Sequence, residues 1–209
     1  MILIGQYDSP FVRRVAIALH LYELPYEHRP WSTFSDADQI ARFNPLRRVP
    51  TLVLESDETL IESTVILDYV DALVGPAKAL IPPSGEPRRR GLKVCMLATG
   101  LSDKAFSLLY ERLMHRDVSQ AWVQRCETQI ADALDVLEGD RASQTAPFWF
   151  GDSVGHPDIA MACAMRFIRE AHPGIVDDQR WPALAEHALR CESLAPFQAI
   201  QQPFTLPAR

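Results

Sequence analysis

Ser9 is the first residue of this 209-residue chain whose type and setting imply chemistry. It follows the apolar run Ile2-Leu3-Ile4 and stands directly before Pro10, and proline at the first helical position lacks only an N–H that has no partner there anyway. A Ser-Pro start therefore holds a hydroxyl beside the free amides of a helix N-terminus, where the helix dipole favours negative charge. An anion such as a thiolate brought to Ser9 is stabilised by both. Downstream, Asn44-Pro45-Leu46-Arg47-Arg48-Val49-Pro50 and Leu60-Ile61-Glu62-Ser63 add two arginines, a carboxylate and a second hydroxyl. The plain alternative is structural: Ser9 and Ser63 as helix caps, with Arg47, Arg48 and Glu62 as solvated charges.

Other chemistries lack their residues. The six histidines form no H-x-x-x-H pair, and His115, His156, His172 and His187 read as surface or cap residues, so no metal is expected. There is no G-x-S-x-G elbow and no phosphate-binding glycine loop. Cys95, Cys126, Cys163 and Cys191 form no C-x-x-C and read as reduced, packed thiols. Asp68 and Asp71, three apart on a helix, read as a solvated face.

The elements that must position these groups follow from periodicity. Strand-like runs at 2–6, 26–29, 51–54 and 59–61 alternate with helical ones at 10–24, 35–43 and 63–74, an order that predicts a mixed-sheet α/β domain over residues 1–75. Gly75, Pro76, Pro82, Pro83, Gly85 and Pro87 break the pattern and mark a linker over 76–87. Apolar residues then recur at helical spacing over 88–115, 118–137, 158–171 and 181–189, which predicts an all-α domain over 88–209. Pro203 and Pro207 make 201–209 a surface-hugging tail.

Composition sets outer bounds. A hydrophobic content of 47% suffices for a sizeable core, and a net charge of −6 argues against a nucleic-acid surface, with Arg88-Arg89-Arg90 as the exposed start of a helix. No stretch reaches the roughly 20 apolar residues of a membrane span, and no leader precedes the first strand, so a cytoplasmic protein without membrane contact is expected.

Ser9, the Asn44 to Leu52 loop with Val49-Pro50, and Glu62-Ser63, in that order and spacing, resemble the glutathione transferase superfamily. The resemblance runs through both halves of the chain and implies an α/β thioredoxin-like N-terminal domain that binds glutathione, followed by an all-α C-terminal domain. It further implies a cis peptide before Pro50, with the Val49 main chain pairing with the cysteine backbone of glutathione. Glu62 would face the γ-glutamyl ammonium, with Ser63 and the helix amides on its carboxylate. Arg47 stands where the family most often has glycine and can crowd the ligand, while Arg48 is placed to hold its glycine carboxylate. Gly151-Asp152-Ser153-Val154-Gly155-His156-Pro157-Asp158 resembles the loop that enters the family's buried helix. Gly155 occupies the Ser/Thr cap position there, so Asp158 must cap backwards onto the main chain in a folding role.

The activity implied is that of a transferase using glutathione as co-substrate: Ser9 stabilises the thiolate, which attacks a small electrophile, as in detoxification. Tyr7 is the rival donor, a phenol occupying about this position in some branches; Ser9 has the better access to free amides. No cysteine stands at this site, against disulfide-exchange chemistry. Phe11, Phe106, Tyr110 and Met114 are candidates for an apolar wall around the electrophile where the first domain meets the helix beginning near Arg88. Trp31 either flanks the tripeptide or packs against the domain. A two-fold homodimer is expected from the resemblance. The alternatives are a glutathione-dependent isomerase or dehalogenase, and a non-catalytic transferase-like binding protein.

Overall fold

A computed structural model describes residues 1–206 as two compact units, one formed by Met1–Pro83 with Leu194 onward, the other by Ser84–Ser193. The first unit runs β1 (Ile2–Ile4), α1 (Pro10–Leu21), β2 (Glu27–Arg29), α2 (Ala37–Ile40), β3 (Thr51–Val53), β4 (Thr59–Ile61) and α3 (Ser63–Val74). Its sheet has the order β2-β1-β3-β4, with β1 parallel to β2 and antiparallel to β3, and β3 antiparallel to β4. This is the thioredoxin-like arrangement that the resemblance implies.

Local chemistry explains the element boundaries. Leu3 and Ile4 are fully buried neighbours, so β1 is apolar on successive residues, as a strand covered on both faces must be. It ends at Ile4, before the expected limit at Gln6, because Gly5 turns the chain at φ +127°. A Cβ at Gly5 would lie 2.5 Å from Val12 Cγ2 and 2.8 Å from Val49 Cβ, so only glycine lets the chain pass between β1 and α1 here. Helix α1 ends at Leu21, short of the expected Leu24, with Glu23 at φ 55° and Pro25 close behind. Helix α2 is a single turn, shorter than the 35–43 expected. The Asp36 carboxylate accepts from Ser32 N at 3.0 Å, Ser35 Oγ at 2.8 Å and Gln39 Nε2 at 3.0 Å, and so holds a local turn that competes with longer helix.

Asp71 corrects one expectation. It is buried, not part of a solvated face, and accepts from Tyr22 Oη, which in turn accepts from Leu80 N at 2.6 Å. A further short helix, α8 (Ala195–Ala199), was not expected from the pattern. It joins the first unit through buried Arg13, whose Nε donates to Ile200 O at 2.8 Å and Nη2 to Phe197 O at 3.0 Å, with the guanidinium 5.6 Å above the Phe197 ring. Just beyond, Gln202 Oε1 accepts from Tyr7 N at 3.2 Å. Of the expected tail over 201–209, residues 207–209 lie outside the described residues.

The second unit is helical: α4 (Gly85–Met114), α5 (Gln120–Ala142), α6 (His156–Ala171) and α7 (Pro182–Glu192). Helix α6 is buried continuously from His156 to Met165 and packs against α4 and α7, its Ala160, Ala162, Cys163 and Ala164 allowing close approach. Asp158 Oδ2 accepts from Gly155 N and Oδ1 from Trp149 N, both at 2.8 Å, so the carboxylate supplies the bonds that a glycine cap lacks. Burial pushes the Asp158 carboxyl up to about 6, while the two amides and Arg141 pull the other way. His156, His172 and His187 are buried rather than at the surface, with His172 Nε2 2.8 Å from Ala105 O and His187 Nε2 3.3 Å from Asp158 Oδ1. His115 remains exposed, 2.8 Å from Glu111 Oε2. All four cysteines are buried and form no disulfide. Among the described residues, no helix is long and apolar enough to cross a membrane.

Candidate functional site

Three connections of the first unit carry the residues of interest: the turn from β1 into α1, the loop before β3, and the turn from β4 into α3. Ser9 is the N-cap of α1, with φ −72° and ψ 122°, and its main-chain oxygen accepts from Arg13 N at 2.9 Å. Its hydroxyl makes no cap hydrogen bond. The helix start therefore leaves the Ser9 oxygen available beside the first amides of α1. The adjacent Tyr7 is engaged elsewhere: its hydroxyl shares a 2.8 Å hydrogen bond with Tyr26 Oη, and its ring stacks on His28 with centroids 3.9 Å apart and planes 4° from parallel. Burial, reinforced by the Tyr26 bond, raises the Tyr7 phenol well above its ordinary range, so it stays protonated.

The loop before β3 is tied by Asn44, which is buried. Its Nδ2 donates to Arg48 O at 2.9 Å and Thr51 Oγ1 at 3.3 Å, and its Oδ1 accepts from Leu46 N at 3.0 Å. Sequence reasoning gave Asn44 no role, although the Asn-Pro pair signals a turn. Arg47 sits at φ 54°, which explains why glycine is favoured there. Its Nη1 pairs with Asp38 Oδ1 at 2.5 Å, so the side chain is held by α2. The Val49–Pro50 peptide is cis.

Glu62 is the N-cap of α3 and sits at φ 68° and ψ 123°, a left-handed conformation that is rare for glutamate. Its Oε1 lies 3.3 Å from Arg48 Nη1. Ser63 is not the cap but the first residue of α3; it is buried, and its Oγ accepts from Arg14 Nη1 at 3.4 Å. The structure thus brings Arg48 to Glu62, Arg14 to Ser63, and Val49 against the Gly5 turn that leads to Ser9. Backbone strain at a carboxylate residue is a mark of a functional position that no sequence pattern announces.

Phe11, on α1, is half-buried. On α4, Phe106 stacks on Phe167 at 4.3 Å and tilts against Tyr110 at 5.9 Å, while Tyr110 and Met114 are exposed. Trp31 packs on Phe43 at 6.0 Å with the Arg29 guanidinium 5.6 Å over its ring. Among the described residues no group of three or more His, Cys, Asp or Glu is placed to hold a metal ion.

Residues 3–78 match the family model for the glutathione S-transferase N-terminal domain, and residues 120–190 that for the glutathione S-transferase C-terminal domain. The chain is also 32% identical over 199 residues to YibF of Escherichia coli (strain K12), an uncharacterized GST-like protein, covering 93% of this chain and 96% of YibF. This chain belongs to the glutathione S-transferase superfamily.

Solved structures of the superfamily are similar along nearly the whole chain. A glutathione S-transferase of Methylobacterium radiotolerans in complex with glutathione sulfonate superposes with a TM-score of 0.89 at 26% identity, covering 100% of this chain and 98% of the other. A glutathione transferase family member of Pseudomonas fluorescens Pf-5 with bound glutathione superposes at 0.83 and 28% identity, over 97% and 99%. In this chain Ser9 follows β1, Arg48 and Val49 lie in the loop before β3, and Glu62 and Ser63 follow β4.

Proposed function

We propose that this chain is a glutathione transferase in which Ser9 holds the glutathione thiol as thiolate for attack on a small electrophile. The observation that carries the reading is the Ser9 hydroxyl, positioned at the start of α1 and making no cap hydrogen bond. A free thiol has a pKa of about 8.5, so only a few per cent is thiolate at neutral pH. A hydroxyl donor together with the helix amides stabilises the anion, and the hydroxyl never becomes the nucleophile. The thiolate forms the C–S bond, and the leaving group departs with its electron pair. Tyr7 is the weaker candidate because its phenol is bonded to Tyr26 and its ring lies on His28.

The remaining assignments follow the chemistry of each group. The Val49 main chain ahead of Pro50 pairs with the central residue of the tripeptide, Arg48 takes its glycine carboxylate, Glu62 its ammonium, and Ser63 with the first amides of α3 its γ-glutamyl carboxylate. Phe106, Tyr110 and Met114, four residues apart along α4, are the apolar side chains assigned to the electrophile. A cytoplasmic homodimer belongs to the same reading, and four buried cysteines without a disulfide accord with a reducing compartment.

The test is calorimetric titration with glutathione of the wild type, Ser9→Ala and Glu62→Ala, followed by thiolate absorbance of the bound ligand against pH. Binding that Glu62→Ala weakens, with a thiol pKa that Ser9→Ala raises, supports the assignment. Absence of binding at millimolar glutathione overturns it in favour of a transferase-shaped binding protein.

A further inference from the structure

The main chain that leads into Ser9 is held at three places. At its start, Gly5 N donates to Arg29 O at 2.9 Å, and Gly5 O, which can only accept, takes the His28 Nε2 proton at 2.8 Å. At its end, Ser9 O accepts from Arg13 N at 2.9 Å as the first bond of α1. Between the two, Gln6–Ser9 is a tight turn closed by Ser9 N donating to Gln6 O at 3.2 Å. The first peptide of that turn is also held from its other side: Tyr7 N donates to Gln202 Oε1 at 3.2 Å, a partner 195 positions away in sequence.

A peptide group is planar, and in its trans form the C=O and N–H point in opposite directions. Holding the Tyr7 N–H on Gln202 therefore aims the Gln6 carbonyl at Ser9 N, and rotation of that plane breaks both bonds together. Each bond is at the long end of the normal range, so the turn depends on having both. The stacking of Tyr7 on His28 and its bond to Tyr26 hold the side chain, not the plane of the peptide before it.

Gln202 is delivered to this place by α1 itself. Arg13, 2% exposed and one helical turn beyond Ser9, donates through Nε to Ile200 O and through Nη2 to Phe197 O, and Phe197 is fully buried. The chain is thus pinned two residues before Gln202, and its two anchors, Tyr7 and Arg13, flank Ser9 on either side. We infer that Gln202 is a positioning residue: its side-chain oxygen sets the plane of the Gln6–Tyr7 peptide and, through the turn, the place of Ser9 beside the first amides of α1. Its bearing on chemistry rests on the assignment of Ser9 as donor to the glutathione thiol. Displacements of about 1 Å caused by groups remote from the reacting atoms cost rate out of proportion to their effect on folding.

The experiment compares the full chain with three variants. Gln202→Leu keeps the bulk and removes the acceptor, Gln202→Glu restores an acceptor on a stem of the same length, and Ser9→Ala removes the hydroxyl. Because Gln202 is half-buried, its substitution leaves the core intact. Two quantities are read: the pKa of the bound glutathione thiol from thiolate absorbance, in about 0.5 M salt to screen the charge of the added glutamate, and exchange of the Tyr7 and Ser9 amides by NMR without glutathione. Gln202→Leu is expected to lower the thiolate fraction near neutral pH about threefold, against about tenfold for Ser9→Ala, and to speed exchange of both amides about tenfold. Gln202→Glu returns both quantities to the wild-type values. A merely structural contact would shift the melting temperature and leave the thiol pKa alone. The inference is overturned by unchanged amide exchange in Gln202→Leu, or by a thiol pKa that Ser9→Ala moves and Gln202→Leu does not. If the wild type binds no glutathione, or Ser9→Ala leaves the thiol pKa unmoved, the assignment of Ser9 falls instead. The amides then still decide the role of Gln202: faster exchange upholds it and unchanged exchange overturns it.

Discussion

Arg48 Nη1 lies 3.3 Å from Glu62 Oε1, joining the loop before β3 to the turn that opens α3. Both side chains are about half exposed, so the pair itself contributes no more than about 1 kcal/mol to folding. Its importance lies in presenting a donor and an acceptor, one for each charged end of a zwitterionic peptide. Arg48→Ala and Glu62→Ala are each expected to weaken glutathione binding about tenfold while shifting stability by less than about 0.5 kcal/mol. Glu62→Gly separates strain from binding: glycine accepts the φ of 68° freely, so this variant melts higher than Glu62→Ala while binding as weakly. Calorimetry and thermal melts on the same samples check both halves.

Ser9→Ala is expected to raise the pKa of the bound thiol by about one unit and lower the rate near neutral pH about tenfold, with the affinity for glutathione little changed. Because the hydroxyl makes no cap bond, the loss of stability stays below the about 1 kcal/mol typical of a working serine cap. Tyr7→Phe should do the reverse, costing about 1 kcal/mol through the lost Tyr26 bond and leaving the thiol pKa unmoved. Thiolate absorbance against pH distinguishes the two donors.

Asp158→Ala removes the acceptor of both Gly155 N and Trp149 N. Two buried amides then lose their partner, and the expected cost is at least about 2 kcal/mol, read from urea midpoints. The protein that remains folded keeps its affinity for glutathione, since Asp158 lies in the helical unit.

Asp158 and His187 also make a prediction about pH. The folded Asp158 carboxyl is raised from 3.8 to about 6, and the folded His187 ring is lowered from 6.5 to about 3. The Asp158 contribution is full below about pH 4 and lost as pH rises through 6; the His187 contribution is present above 6.5 and lost as pH falls towards 3. Between pH 4 and 6 unfolding releases one proton at Asp158 and takes one up at His187, so the two slopes cancel. His187→Phe removes one of them. Acidification from pH 6 to 4 should then stabilise the variant relative to the wild type, by up to about 1.4 kcal/mol per pH unit. Parallel stability profiles for the two proteins would contradict this.

Arg13 holds the carbonyls of Ile200 and Phe197, and Gln202 holds the amide of Tyr7. Arg13→Met leaves two carbonyls without their donor and is expected to cost about 3 kcal/mol, with the segment after Ser193 becoming the first site of limited proteolysis. Gln202→Ala, which breaks one partly exposed bond, should cost under about 1 kcal/mol and leave the proteolysis pattern intact. Urea unfolding and mass mapping of the fragments report both.

The sequence by itself determined the features that depend on a few adjacent residues. The alternation of apolar runs sets the strands and helices in order, Ser9-Pro10 starts α1, and Gly155 with Asp158 three residues on writes the cap of α6. Each is a choice settled within about one helical turn, where spacing alone decides which groups can meet. The tertiary structure decided what lies far apart in the chain. It alone pairs Asp71 with Tyr22, buries His187 beside Asp158, lays Tyr7 on His28, draws α8 back to Arg13 and puts Glu62 in a left-handed conformation facing Arg48. A carboxylate on a helix or a histidine near a helix end looks the same in sequence whether water or a packed neighbour faces it. Which one it meets depends on how whole elements pack, a property that no local pattern of residues encodes.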